Sequence, residues 1–467
     1  MRNMVIYICL IPFLLSGCGS FLQTEYIPPE VTIPKSWNST GNSTSEISLS
    51  AAKWAESFED ASLTKLVKLV LERNNDLAAA GFRVRQAQLQ AGLAYNDMLP
   101  QLSGAVGGVN TKYFDKSGFA NSYVGGFNIS YEADLWGKLS RTRDAAMWEA
   151  VASNEDRMST ALSLVGTTMK LYWSIAYSNV RIDLCRSNIQ SSEKTLKRIL
   201  AQQRYGSASK LEVNKAKQEL TIQQAKYYSY MQKRQENISS LTILFDLPPG
   251  KIMADPKNLI RSTLPVIPAG LPVELLSRRP DLRAAESRLR KLLANTDAAK
   301  ASFYPTLSLT GSLGGSSAEL ANMLDNPFAA LASGIAFPFL NLYKLELNLD
   351  QSTAEYDEAV VSFKQTLYEA MKEVGDSLSN RKNLADKCKY LMENLEAARK
   401  VENIYEVRYR SGSGTFKDWM DAQDTRRTAE ESLAENVYAQ LLNYVNLYQA
   451  LGGNPDQYNP VKKGNPA

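Results

Sequence analysis

Two carboxylates, Asp418 and Asp421, stand three residues apart in the 467-residue chain, and on a helix that spacing puts them on one face. Two such acids could attract cations and repel anions, or could be one solvated acidic face among others. The usual partners of carboxylate chemistry are missing. Histidine is absent, which removes the commonest general base, the commonest metal ligand and any Ser-His or Cys-His nucleophile pair. No Gly-rich phosphate loop, nucleophile elbow or clustered metal-ligand spacing occurs. Carboxylate or lysine catalysis stays open on composition alone, but the expectation is no catalytic residue, no cofactor and no metal. The balance of 53 basic against 49 acidic residues, a net charge of +4, gives no reason to expect nucleic acid as a partner.

Cysteine occurs four times. Cys18 closes the run Leu15-Ser16-Gly17-Cys18, after a basic start at Arg2 and an apolar stretch from Met4 to Leu15. That order reads as a secretory signal, and the apolar stretch is too short to span a bilayer. The ending resembles the bacterial lipoprotein box, in which the cysteine is acylated and becomes the first residue. An ordinary signal with an incidental cysteine is the alternative. A single acyl chain anchors only marginally, so further chains or an inserted protein surface should add to it. Cys9 leaves with the signal. Cys185 and Cys388 could pair in an oxidising compartment, or could be two small buried side chains within long helices.

The elements that position these residues come in duplicate. Asn75-Asp76-Leu77-Ala78-Ala79-Ala80 recurs as Pro280-Asp281-Leu282-Arg283-Ala284-Ala285, and Asp76 to Pro100 spans the same 24 positions as Asp281 to Pro305. Gly206-Ser207 matches Gly412-Ser413, and Ala216 matches Ala422, at an offset of 206. A repeat of this kind decides the fold before any local pattern does. Each half begins with a helical stretch, Leu63 to Met98 or Val273 to Phe303. A Gly/Ser/Thr-rich section follows, in which Tyr123, Phe127, Ile129 and Tyr131 alternate with Asn128, Ser130 and Glu132, and Leu307, Leu309 and Leu313 with serine and threonine. A period of two suits a strand between lipid and a wet lumen, or equally a soluble hairpin with one face on a core. We read two strands per half, with loops around Asp115 and Asp325. Four strands cannot close a barrel, so membrane strands would require oligomerisation.

The rest of each half reads as a long helical hairpin. From Ser140 to Arg204 there is no proline and one glycine, Gly166. Leu162, Val165, Met169, Tyr172 and Ala176 step by three and four, and Ile182, Cys185, Ile189, Leu196 and Ile199 continue the seam. In the second half Leu384, Cys388, Leu391, Leu395 and Ala398 do the same. About 65 residues at ~1.5 Å rise make roughly 100 Å of helix. No stretch beyond the signal reaches the ~18 apolar residues of a membrane helix. A membrane-crossing mature chain must then do so as a closed β-barrel. The chain divides into a signal (1–17), a lipidated extended lead-in (18–60), a first repeat (61–246), a Pro-rich connector (247–270), a second repeat (271–451) and a tail (452–467).

Together these features resemble the outer membrane factor family, the TolC-like channels, in its lipoprotein branch serving efflux pumps. The pieces that carry the resemblance are the paired turns Arg204-Tyr205-Gly206-Ser207-Ala208-Ser209-Lys210-Leu211-Glu212-Val213 and Arg408-Tyr409-Arg410-Ser411-Gly412-Ser413-Gly414-Thr415. Arg279-Pro280-Asp281, Phe303-Tyr304-Pro305 and Asp134-Leu135-Trp136-Gly137-Lys138 add to them.

The resemblance implies an α+β membrane protein, a homotrimer whose twelve strands close a transmembrane β-barrel and whose twelve long helices make a coiled-coil tube. It implies an exit duct in the Gram-negative outer membrane, in contact with outer-membrane lipid, a periplasmic adaptor protein and an inner-membrane RND-type transporter that supplies the energy. The turn residues Gly206, Ser207, Gly412 and Ser413 would meet the adaptor. Asp418 and Asp421 match constriction carboxylates, which in a threefold assembly become two acidic rings. Tyr409 and Glu212 match positions that tie neighbouring coiled coils in the closed state, and a bond between them is expected. Gly414 stands where the family can carry an arginine, and Asn341-Leu342-Tyr343-Lys344 lacks the glycine often found at that corner. The exit duct of a type I protein secretion system and a non-pore coiled-coil scaffold or adhesin are the competing readings.

Overall fold

The computed structural model describes residues 22–34, 36–37, 58, 60–114, 118–250, 253–259 and 272–453. The signal, Cys18, Asp115, residues 260–270 of the connector and the tail beyond 453 lie outside them. Each half contributes the same six elements. The first half has α1 (Ala61–Arg73), α2 (Asn75–Asn96), β1 (Gln101–Lys112), β2 (Phe119–Ala133), α3 (Lys138–Arg204) and α4 (Lys210–Ile243). The second has α5 (Leu275–Arg278), α6 (Pro280–Ala301), β3 (Thr306–Ser317), β4 (Pro327–Ala336), α7 (Leu342–Arg410) and α8 (Phe416–Ala450).

The opening helical stretch of each half is broken where one continuous helix is predicted. Asn74 leaves the helix with ψ 129°, its carboxamide donating to the Leu244 carbonyl at 3.0 Å and accepting from the Leu77 N–H at 3.0 Å. The matching break falls at Arg279 (ψ 120°), because the proline that follows disfavours the helical region for the residue before it. From this kink the largely buried Arg279 side chain donates to Glu373 (2.7 Å) and to the Ala450 carbonyl (3.1 Å).

Packing divides the chain differently from the repeat. One compact unit takes Gly81–Asp156, Asp281–Thr366 and the lead-in up to Val31, and the other takes Thr32–Ala80, Arg157–Pro280 and Leu367–Ala467. Each unit draws matching pieces from both halves.

The first unit holds one antiparallel sheet in the order β1-β2-β3-β4. Its register sorts the faces. Leu102 opposes Ile129, Phe127 opposes Leu313, Tyr131 opposes Leu309 and Leu307 opposes Ile335. Asn128 opposes Ser312, Ser130 opposes Thr310 and Glu132 opposes Ser308. One face is therefore apolar and the other polar in the strands where both can be read. The apolar side chains are open in the single chain, Phe127 at 63% and Leu313 at 61% exposure, and β1 and β4 are each paired on one side only.

The motifs that flank the sheet explain each other. Trp136 donates from Nε1 to the Pro305 carbonyl at 2.8 Å and stacks on Tyr304 at 4.8 Å. Asp134 caps the start of α3, accepting from the Leu139 and Ser140 N–H groups at 2.9 and 2.8 Å. Between them Gly137 takes φ +76°. The second corner, without that glycine, turns instead through a 3-10 segment, Pro338–Asn341. The lead-in is fastened to the same unit. The Thr24 N–H and hydroxyl donate to Asp297 at 2.8 and 2.6 Å, and the Arg290 guanidinium lies over Tyr26 (4.4 Å) and Trp148 (5.0 Å). Burial, with the charge of Glu286, pushes the Tyr26 hydroxyl up to about 12.

Asp297 is 2% exposed, and hydrogen bonds to a charged group are worth about 1.5–3 kcal/mol. Asp297→Ala is expected to free the lead-in, seen as faster protease cleavage within residues 22–31.

The second unit is built on the helical hairpins. Leu162, Val165, Met169, Tyr172 and Ala176 are all buried, as their spacing predicts. Further along α3 the seam departs from the predicted one. Ile182, Cys185 and Ile199 are buried as predicted, but Ile189 and Leu196 are half-buried, and Asn188, Ser192 and Thr195 take the buried places between Cys185 and Ile199. Ser192 accepts from the buried Arg427 guanidinium of α8, and Asn188 donates to Gln223 of α4 at 3.5 Å. Cys185 and Cys388 are free thiols. Among the described residues no helix is long and apolar enough to cross a membrane.

Candidate functional site

The two hairpin turns are the same structure built twice. At the end of α3, Gly206 N–H bonds to the Gln203 carbonyl (3.0 Å) and Ser207 N–H to the Gln202 carbonyl (2.9 Å). At the end of α7, Gly412 bonds to Tyr409 (3.2 Å) and Ser413 to Arg408 (2.9 Å). Both are Schellman closures, which need a residue in the left-handed region. Gly206 and Gly412 supply it, with φ +75° and +76°. Alanine there is strained by about 1–2 kcal/mol, so Gly206→Ala and Gly412→Ala should each lower the thermal midpoint of the solubilised protein. A midpoint unchanged in both would contradict the turn geometry.

Each turn hands over to a capped helix. Ser209 caps α4 in a reciprocal box, its hydroxyl accepting from Glu212 N–H at 3.3 Å while the Glu212 carboxylate accepts from Ser209 N–H at 2.6 Å. Thr415 caps α8, accepting from Asp418 N–H at 3.1 Å and donating from its hydroxyl to the Asp418 carboxylate at 2.7 Å. Asp418 is thus the repeat counterpart of Glu212, and one of its oxygens is engaged in the cap. Asp421, one turn on, is exposed.

The bond expected between Tyr409 and Glu212 is not made within the chain. Glu212 is held by its own cap, and the Tyr409 hydroxyl donates to Gln202 Oε1 on α3 at 2.9 Å. Burial raises the Tyr409 hydroxyl's pKa, the nearby Glu212 charge raises it further, and Arg198 opposes both. The tyrosine ring stacks on Trp419 at 5.3 Å and meets Phe416 at 5.5 Å. Ile199, Ala216, Phe416 and Trp419 form the buried centre of this cluster, and Arg198 lies over the Trp419 ring at 5.6 Å. Gly414 packs closely, since a Cβ there would meet Arg408 Cβ at 3.0 Å. A side chain at this position would need the Arg408 side of the turn to give by a few tenths of an ångström.

Sequence reading missed a second layer. Arg427 is 1% exposed and pairs with Glu219, its other nitrogen donating to Ser192 at 3.0 Å. Arg181, 3% exposed, reaches Glu431 at 2.7 Å and lies 4.6 Å over Tyr230, and Lys226 adds a second bond to Glu431 at 3.3 Å. The Lys226–Glu431 and Arg427–Glu219 pairs join residues 205 and 208 apart in sequence, close to the repeat offset, because nearly equivalent parts of the two hairpins stand side by side. Opposite charges one or two positions from exact repeat equivalence, Lys226 with Glu431 and Glu219 with Arg427, were the signal that could have found those two pairs.

Among the described residues no group of three or more acidic or cysteine side chains is placed to hold a metal. The tips offer caps, an aromatic block and an acidic face on α8, the last of which suits the attraction of cations.

The model of the family described as outer membrane efflux protein matches residues 66–244 and 271–453, once over each half. A probable efflux pump outer membrane protein of Pseudomonas putida, TtgC, is 27% identical over 466 residues, covering 97% of this chain and 96% of the relative. The pyoverdine export outer membrane protein OpmQ of the same species is 28% identical, covering 98% and 99%. Among solved structures, the open state of the MtrE outer membrane channel of Neisseria gonorrhoeae superposes with a TM-score of 0.81 at 26% identity, over 92% of this chain and 98% of that one.

Proposed function

Since the chain belongs to the outer membrane efflux protein family, we propose that it is the outer-membrane exit duct of a tripartite efflux pump, passing small molecules outward without chemistry of its own. The sheet carries this reading. Four strands with one apolar and one polar face, and a half-paired strand at each edge, leave a surface that water does not favour and edges that must be covered. Three copies would close twelve strands into a barrel with the apolar face on lipid. The hairpin turns at Gly206, Ser207, Gly412 and Ser413 would then meet a periplasmic adaptor, which couples the duct to an RND-type transporter in the inner membrane.

Acylation at Cys18 would add an anchor to the barrel. Asp418 and Asp421 of three copies would line the constriction. Tyr409, packed on Trp419 before the second turn, and Glu212, fixed in its cap after the first, would help hold the closed state.

Cells lacking the chain should accumulate a fluorescent efflux dye, and the wild-type chain should restore its extrusion. Restoration by a variant that cannot enter the outer membrane would defeat the proposal. Loss of a secreted protein with dye extrusion intact would favour the secretion duct instead.

A further inference from the structure

Asp418 and Asp421 are aimed by contacts on the other side of their own helix. Phe416, Trp419, Gln423 and Arg427 of α8 are buried, while the two acids are exposed. At about 100° per residue, Arg427 lies roughly 180° around the helix from Asp418 and roughly 120° from Asp421. It sits six residues beyond Asp421, about 9 Å along the axis. From there its guanidinium reaches both helices of the first hairpin, Glu219 on α4 and Ser192 on α3.

Apolar contact is non-directional and lets a helix roll about its axis. A guanidinium held by a carboxylate on one helix and a hydroxyl on another has a fixed direction. We propose that Arg427 is the positioning residue of the constriction. By clamping α8 to α3 and α4, it fixes the rotation of that helix and so the direction in which Asp418 and Asp421 point. The proposal rests on reading those two carboxylates as the constriction.

The test uses the full-length acylated protein with Cys185→Ala, Cys388→Ala and a nitroxide on Asp418→Cys, so that pulsed electron resonance reads the distance between copies. The wild-type clamp should give one narrow distribution. Arg427→Met, which keeps the bulk but not the charge, should broaden and lengthen it. The swapped pair Arg427→Glu with Glu219→Arg should restore it in part. Should the Met variant fail to assemble, Arg427→Lys, which keeps the charge but not the two-armed reach, should broaden it less. An assembled Met variant, or an assembled Lys variant where Met fails, with the wild-type distribution overturns the clamp.

Cation selectivity is measured in parallel on unlabelled protein, where Arg427→Met should lose it about twofold. Wild-type selectivity in the Asp418→Ala, Asp421→Ala variant defeats the constriction reading separately, because the distance measurement does not depend on those charges.

Discussion

Trp419→Ala is expected to destabilise the hairpin tips by about 3–5 kcal/mol. Trp419 is 2% exposed at the centre of the block that joins α8 to α3 and α4. Its ring carries the Tyr409 stack and the Arg198 contact, so alanine removes the partner of both and leaves a void at the join. The indole Nε1 has no hydrogen-bond partner among the described residues, so Trp419→Phe forfeits no hydrogen bond and should cost well under half as much. Thermal melting of the solubilised protein, with limited proteolysis at residues 205–209 and 411–415, reads both. An alanine variant that melts with wild type, its turns no more accessible, would mean that the aromatic block does not hold the tips.

The second large effect separates membrane strands from a soluble sheet. Leu313 lies on the apolar face opposite Phe127, and its neighbour Ser312 lies on the other face opposite Asn128. If the apolar face meets lipid, Leu313→Arg costs about 2–4 kcal/mol near the bilayer midplane, while an arginine facing the lumen is tolerated. Leu313→Arg should therefore sharply reduce the fraction recovered as heat-modifiable oligomer in the outer membrane, and Ser312→Arg should leave it near wild type. In the single chain Leu313 is already 61% exposed, so a soluble sheet would lose little from either. Equal assembly of the two variants would contradict the barrel.

What the chain displays in its order of residues is mostly what repeats. The duplicated Gly-Ser turns and the alternation around Phe127 and Leu313 are local patterns, and the structure carries both into matching elements. The first seam of α3 was equally legible because its buried positions are apolar. Past Cys185 the same seam runs through Asn188, Ser192 and Thr195, and hydrophobic periodicity drifts onto the half-buried Ile189 and Leu196. The breaks at Asn74 and Arg279 differ in the same way: a proline announces the second, while the first depends on an asparagine bonding to Leu244, far along the chain. Tyr409 shows the limit of pairing by likeness. Within the chain its hydroxyl goes to Gln202, while Glu212 sits in its own capping box, a local pairing that likeness does not announce. The charge pairs of Arg427 and Arg181 were hidden because each residue alone looks like any solvated charge on a long helix.

Ion conductance of the purified, acylated protein in a planar bilayer tests the exit-duct account most directly. Small, cation-preferring currents are the expected result, growing or losing selectivity in the Asp418→Ala, Asp421→Ala variant. A protein that stays soluble and monomeric once its lipid is removed, and conducts nothing when added to the bilayer, would contradict the channel and leave a coiled-coil scaffold in its place.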